Sequence, residues 1–419
     1  MVQSKLRLVV LVTIMALMAS ASPVSAGGSS PNVAVTISSG QPNASTITTF
    51  APDGTSAGKI PVPDSTRATV SPSLQWYSTL TTDASHKLQY APLTKFKPAA
   101  PIDVKVEPGF EIISAQFNWD SAYLLYLLAK LDGNQYILGI LELKTGKQVE
   151  YGGTYSVQIP ANTRTAFGGV PNPLYLEAES GRLILNTFLP FAGGNSGGLY
   201  ETYTGNFAPL QPGRYPLPPV NQIATRDQYT AFSGVQSLSS APEGLKQLAY
   251  FSKNPNNPPA NYQEAPFSQS YNVLTILDLI TGKTTIAAQA GKGQGLETST
   301  WSPLNPIANP PGDKVYFTGG NYQNTAFISQ PRLYTLQVTT NAVTEGPVLT
   351  TDPLEDVAAL LVCTNTTQDT LYFVGTKTDA ATQAFTATLY TAPLNDLAKK
   401  KALVTGNYIN LVSCVPPVS

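Results

Sequence analysis

Asp313-Lys-Val-Tyr-Phe-Thr-Gly319 returns as Asp369-Thr-Leu-Tyr-Phe-Val-Gly375, and Leu333-Tyr334-Thr335 returns as Leu389-Tyr390-Thr391. Both returns are offset by 56 residues. One offset shared by two segments, with unrelated residues between them, is the trace of stacked copies of one supersecondary unit. The chain therefore reads as a repeat protein.

The clearest single unit runs from Phe110 to Tyr151. Ile112 to Phe117 reads as a strand, Asn118-Trp119-Asp120-Ser121 as a turn and Tyr123 to Ala129 as a buried strand. Asp132-Gly133-Asn134 then makes a tight turn, Tyr136 to Leu143 a third strand, and Lys147 to Tyr151 an outer strand after Thr145-Gly146. Gly, Asp and Asn supply the positive φ that tight hairpins need, so the unit is a four-stranded meander. The apolar run Tyr123-Leu-Leu-Tyr-Leu-Leu128 implies burial on both faces, which one isolated sheet does not offer. The same grammar recurs: Ile276-Leu-Asp-Leu-Ile-Thr-Gly282-Lys283 echoes Ile140-Leu-Glu-Leu-Lys-Thr-Gly146-Lys147, and Ala249-Tyr-Phe251 echoes Val315-Tyr-Phe317. The strand-end position of Phe117 is assigned to Trp76, Leu238, Trp301 and Cys363 in other units. Sheets stacked face to face around an axis satisfy this pattern, because each buries both faces against its neighbours.

Phe117-Asn-Trp-Asp-Ser121 and Trp301-Ser-Pro303, each leading to an aromatic-rich strand, a hairpin and a Thr-Gly turn, resemble the repeats of TolB-like, WD40-like β-propellers. The resemblance covers four or five units. It implies an all-β propeller of four-stranded antiparallel blades serving as a protein- or polymer-binding platform in the cell envelope, and it carries over no residue-level site. The chain departs from the pattern in three ways. No unit keeps an intact Trp-Ser-Pro-Asp-Gly turn, the Trp301 unit carries an insert from Leu304 to Gly312, and the unit around Leu174 to Leu210 matches weakly.

Residues 1–26 read as a secretory signal, with Lys5 and Arg7 before an apolar run from Leu8 to Ala19 and a small-residue exit at Val24-Ser25-Ala26. That run falls short of the roughly 20 residues a spanning helix needs, and no later segment approaches it, so no membrane span is expected in the mature chain. Residues 27–419 are then one propeller domain. Its length divided by the 56-residue offset favours seven blades, with six the alternative. The tail Asn407-Tyr-Ile-Asn-Leu-Val-Ser-Cys414 has the form of an inner strand, whereas Val33 to Pro63 holds hairpin material around Pro52-Asp53-Gly54 without an obvious one. The tail is therefore expected to complete the first blade and remove a free edge. Cys363 and Cys414 would then occupy equivalent positions in adjacent blades. In an exported chain a disulfide between them is the expected state, two buried free thiols being the alternative.

Without the signal the chain carries 23 basic and 26 acidic residues, a formal charge of −3. No basic stripe offers the electrostatic term that nucleic-acid binding requires, and no polybasic cluster suits anionic lipid. His86 is the only histidine, in the loop Asp83-Ala-Ser-His86-Lys87, which excludes histidine-rich metal centres and His-based triads. Glu177 and Glu179 are two apart on a strand, about 7 Å, a spacing compatible with paired-carboxylate glycosidase chemistry, but a solvated strand end is the preferred reading. Glu355-Asp356 reads as a solvated loop. Asp53-Gly54 and Asp132-Gly133 are turns without the alternating oxygen ligands of a calcium loop, and Gly291-Lys-Gly-Gln-Gly295 lacks the ending of a phosphate loop. No metal and no cofactor are expected. Asn43-Ala-Ser45 and Asn365-Thr-Thr367 fit the glycosylation sequon.

Aromatic residues are the remaining site candidates. Trp76 and Trp301 are read as blade packing, whereas Trp119 lies in a turn, and Tyr200, Tyr203 and Tyr262 lie in tyrosine-rich segments that offer contact area at low entropy cost. Ala192 to Gly198, Gly213 to Val220, Asn254 to Pro266 and Asn305 to Asp313 are read as loop insertions. The expected function is a monomeric, secreted, periplasmic or cell-surface propeller that binds a protein or glycan without chemistry. The alternatives are an exported hydrolase or lyase, using carboxylates and tyrosines at the channel mouth against a polysaccharide or lactone, and a structural surface-layer element. Fold alone does not choose among them.

Overall fold

The computed structural model describes residues 32–38, 45–62, 66–71, 73–81, 87–118, 120–130, 135–154, 171–190, 198–227, 236–237, 247–252, 273–278, 284–289, 304–308, 313–323, 327–363, 369–379, 381–382 and 384–415. These are almost wholly β-strands, the 3-10 turn Leu397–Lys399 being the one helical element among them. No helix among the described residues is long and apolar enough to cross a membrane. The proposed signal segment lies outside the described residues.

The described strands assemble into seven sheets in a propeller-like ring. In chain order from the innermost strand outwards, the third sheet is Glu111–Phe117, Tyr123–Ala129, Gln135–Glu142 and Lys147–Thr154, the four strands read from the sequence. The second begins with Thr66–Val70, Trp76–Thr81 and Leu88–Thr94; the fourth is Pro171–Glu177, Arg182–Pro190, Gly198–Asn206 and Val220–Asp227. The fifth is Gln236–Ser237, Gln247–Ser252, Val273–Asp278 and Thr284–Gln289. The sixth is Leu304–Ala308, Lys314–Gln323, Phe327–Gln337 and Ala342–Val348, and the seventh Glu355–Cys363, Thr370–Thr378, Phe385–Pro393 and Lys401–Gly406. In the first sheet Asn32–Ser38, Ser45–Phe50 and Ser56–Pro61 are preceded at the inner edge by the tail strand Tyr408–Val415, antiparallel to Asn32–Ser38.

The 56-residue repeat is the copy of the sixth sheet in the seventh. Phe317 stacks on Tyr334 at 5.4 Å, and the equivalent Phe373 stacks on Tyr390 at 5.0 Å. Val338 donates its N–H to Asp313 O as Leu394 does to Asp369 O, closing both units alike.

Alternation along each strand divides its side chains between two cores. Leu124, Tyr126 and Leu128 enter the core shared with the second sheet, while Leu125, Leu127 and Ala129 enter that shared with the fourth. Each fully buried leucine contributes about 1.5–3 kcal/mol. Comparable clusters join the first and second sheets through Ile47, Val70 and Tyr77, and the fifth and sixth through Leu274 and Phe317. Tyr316 and Val357 help join the sixth to the seventh; Val33, Val35, Tyr372 and Ile409 join the seventh to the first. Between the fourth and fifth, Val220–Asp227 lies against Gln247–Ser252.

The seam between the seventh and first sheets is also covalent. Cys363 and Cys414, each near the end of an innermost strand, form a disulfide with Cα atoms 5.5 Å apart. At the outer side the Lys401 ammonium donates to the carbonyl of Asp53 in the first sheet's hairpin.

Three expectations are corrected. Leu304–Ala308, read as part of an insert, is the innermost strand of the sixth sheet and pairs with Lys314–Gln323. Gly213–Pro216, read as loop, is a fifth strand that leaves the fourth sheet and pairs in parallel with Lys147–Thr154 at the outer edge of the third. Trp76 does not share the position of Phe117. Ser71 donates to Trp76 O as Asn118 donates to Tyr123 O, so Trp76 begins the second strand, and Val70 is the counterpart of Phe117. The shared element is the turn before that strand, closed by Leu74 and Ser121 in left-handed conformation, φ 55° and 59°.

Gly139 is required by packing. A β-carbon there would stand 1.9 Å from Cζ of Tyr126, its cross-strand partner, whose buried ring ends in a hydroxyl donating 3.1 Å to Glu150. Gly139→Ala is expected to lower stability by about 2–3 kcal/mol, the usual cost of overpacking, read as a shift in urea midpoint. An unchanged midpoint would remove the ring from that place.

Candidate binding cleft

The outer strand of the third sheet ends in Tyr151-Gly152-Gly153-Thr154, and the two glycines leave its end bare. They are bare for different reasons. A β-carbon on Gly153 would meet Tyr136 Cζ at 2.5 Å, so the ring opposite excludes one. At Gly152 the nearest atom would be Arg214 Nε at 3.9 Å, ordinary contact, so neither packing nor a positive φ demands glycine there.

One wall is the turn Glu107-Pro108-Gly109-Phe110 joining the second sheet to the third. Phe110 donates its N–H to Glu107 O at 3.1 Å, and Gly109 holds φ +85°, the conformation that favours glycine at the third position of such a turn. Glu107 and Phe110 are thereby set side by side. The other wall is the parallel strand, in which alternation separates neighbours. Tyr215 packs on Tyr151 at 5.7 Å, whereas Arg214 points to the turn, where its guanidinium pairs with Glu107 and lies 5.7 Å from the centre of the Phe110 ring. Leu217 donates to Gly152 O at 2.9 Å and ends the wall.

Glu107, Phe110, Arg214, Leu217 and the two glycines, with Gln135, Tyr136, Thr154 and Pro216, line an open cleft of about 660 Å³. A cleft of about 400 Å³ lies on the far side of the same turn, lined also by Lys87 and Asp103. Arg214 and Glu107 are 43% and 40% exposed, so their pairing adds only about 0–1 kcal/mol to stability, but it leaves the lining without net charge. Burial pushes the Tyr136 phenol up to about 12, so it stays a neutral hydroxyl. The arrangement can hold a ligand by ring contact and by hydrogen bonds from planar polar groups.

The cleft opens where the innermost strand of its sheet begins. The same end of the seventh and first sheets carries a second exposed apolar feature: Phe385, 39% exposed, stacks at 5.4 Å on Tyr408, 59% exposed.

Trp119, Tyr262, His86, Trp301 and Gly291 to Gly295 lie outside the described residues. Tyr200 sits on Gly198–Asn206 opposite Phe188 and Arg226 in register; Tyr203, three residues on, is partly buried against the core of the third and fourth sheets. Glu177 accepts from Ser180 Oγ at 2.5 Å, whereas Glu179 is exposed in the following turn, so they build no common site. Glu355 and Asp356, read as a solvated loop, open the innermost strand of the seventh sheet. Alternation sends Glu355 to the Tyr390 hydroxyl, which donates at 2.7 Å, and Asp356 to the opposite face, where burial pushes its carboxyl up to about 6. Among the described residues no three His, Cys, Asp or Glu gather to hold a metal ion.

Glu107, Phe110, Arg214 and Gly152 escaped sequence reasoning because they come from three separate segments. Two local signals were present: the Glu-Pro-Gly-Phe turn, and paired glycines at the end of a strand, which mark close approach by another group.

No protein-family model matches the chain, and comparison with curated proteins finds no match. Among solved structures it is similar to the β-propeller domain of the Trilobed protease from Pyrococcus furiosus, at 11% identity over 90% of this chain and 97% of that one, TM-score 0.48. A quinonprotein alcohol dehydrogenase-like protein from Bacteroides thetaiotaomicron is similar at 11% identity, 90% and 78% coverage, TM-score 0.48. An oligogalacturonate lyase in complex with manganese is similar at 10% identity, 92% and 86% coverage, TM-score 0.41.

Proposed function

We propose that residues 1–26 are a signal peptide and that residues 27–419 form one closed seven-bladed propeller, exported to the cell envelope or beyond, which binds a protein or neutral polymer without chemistry. Seven blades are supported by the seven sheets, and closure by the tail strand, the disulfide and the shared core of the seventh and first sheets. The disulfide suits an oxidising compartment. The binding reading rests on one observation, the open cleft of about 660 Å³ with aromatic and planar polar lining, a size usual for ligand sites. Tyr200 is proposed as a further contact, since its strand begins at the same end of its sheet as the cleft does in the third.

The test is retention of ligand from envelope extract and on a glycan array by the wild type and by Phe110→Ala/Arg214→Ala. The wild type is expected to retain a ligand that the double variant loses by roughly 100-fold, the scale of two interface contacts of about 1.4 kcal/mol each. Equal retention would move the contact surface away from the cleft.

A further inference from the structure

We infer that the cleft between Glu107–Phe110 and Arg214–Leu217 is a binding site for a neutral saccharide, with Gly152 as the floor on which a sugar ring lies. This rests on the binding reading above and names its ligand class.

Gly152 carries the argument. Glycine within a strand costs stability and is kept where φ, packing or close approach requires it. At Gly152 the first two are absent, since a β-carbon would have ordinary room. What such a carbon would occupy is the space of the cleft itself.

Charge selects among ligands. Arg214 is already paired with Glu107, and the other lining groups, Gln135, Thr154, Tyr136, Phe110, Pro216 and Leu217, are neutral. An anionic or cationic ligand would have to break that pair to find a counter-charge. A polyol would not. Its adjacent hydroxyls each donate and accept, and they match planar side chains that present two polar atoms together: the guanidinium, with donors only, the carboxylate, with acceptors only, and the Gln135 amide, with both. Thr154 adds a hydroxyl. The Phe110 ring, fixed beneath Arg214 at 5.7 Å, supplies the apolar surface against which the C–H face of a sugar ring packs.

The test uses the full mature chain against maltohexaose, cellohexaose, mannohexaose and xylohexaose, with pentagalacturonate as the acidic control, in titration calorimetry. The wild type is expected to bind at least one neutral oligomer in preference to the acidic one. Gly152→Val is expected to weaken that binding at least about tenfold, the effect of losing one contact, while leaving the thermal midpoint unchanged or raised, because valine suits a strand. Glu107→Gln should weaken the neutral sugar and improve the relative affinity of pentagalacturonate by freeing Arg214. Preference for the acidic oligomer, no binding to any oligomer, or full binding by Gly152→Val would each overturn the inference. If none of the sugars bind but Gly152→Val abolishes retention of a protein from envelope extract, the cleft stands as a binding site and the saccharide assignment falls. If Gly152→Val changes neither, the cleft itself is not the site.

Discussion

Cys414→Ser is expected to lower stability by about 4 kcal/mol, since the Cys363–Cys414 bond closes a loop of 51 residues and the chain-entropy cost of leaving so long a loop open is of that size. Cys414 is the partner to change because it is partly exposed, whereas Cys363 is fully buried in the core between the seventh and first sheets and would leave a polar hydroxyl there. The variant should still fold. Tyr408–Val415 keeps its ladder with Asn32–Ser38, and Ile409 keeps its place in the seam. Its signature is therefore local as well as global: a lower guanidinium midpoint, loss of the wild type's sensitivity to reductant, and faster hydrogen exchange confined first to residues 408–415 and 32–38. A wild type and variant that unfold together, with or without reductant, would show that pairing alone holds the tail.

The pairing of the tail with the first sheet was legible because the tail has the hydrophobic pattern of an inner strand and the early hairpins lack one, a mismatch visible without coordinates. The sixth and seventh sheets were legible for a related reason. Their stacked Phe-Tyr pairs are cross-strand neighbours, so one packing need is written with the same residue types at the same spacing in both copies. Leu304–Ala308 was not legible, because Leu-Asn-Pro-Ile-Ala carries a proline between other prolines and reads as a loop. As the inner edge strand it tolerates one, and its ladder slips between Leu304 and Ile307. The parallel strand Gly213–Pro216 was hidden by distance, as its partner lies some 60 residues earlier and nothing local encodes the pairing. The cleft inherits that difficulty, since one of its walls is that strand.

Asp356→Asn is expected to change the pH dependence of stability more than any other single replacement of a described carboxylate. Asp356 pairs in register with Thr376, and Thr376 with Ala387, a member of the seventh–first core, so its side chain faces the first sheet. Among the described residues the N–H of Val357 donates to it at 2.7 Å, which does not offset the loss of water. Burial therefore raises its carboxyl from 3.8 to about 6. At about 1.4 kcal/mol for each tenfold change in proton affinity, the ionised form costs the fold about 3 kcal/mol. The sign follows from which state holds the proton more tightly. Below about pH 4 both folded and unfolded chains are protonated here and the group costs nothing; between about pH 4 and 6 the folded chain alone keeps the proton, so the cost grows as pH rises; above about 6 it is complete. The wild type minus variant difference in unfolding free energy should thus fall by about 2–3 kcal/mol from pH 4 to pH 7, with Asn the more stable residue at pH 7. A difference that is flat with pH would place Asp356 in water. Because this carboxylate and the disulfide occupy the two ends of the same innermost strand, the variant also separates two contributions to one seam: the bond that ties the seventh sheet to the first, and the charge that, above pH 6, works against their contact.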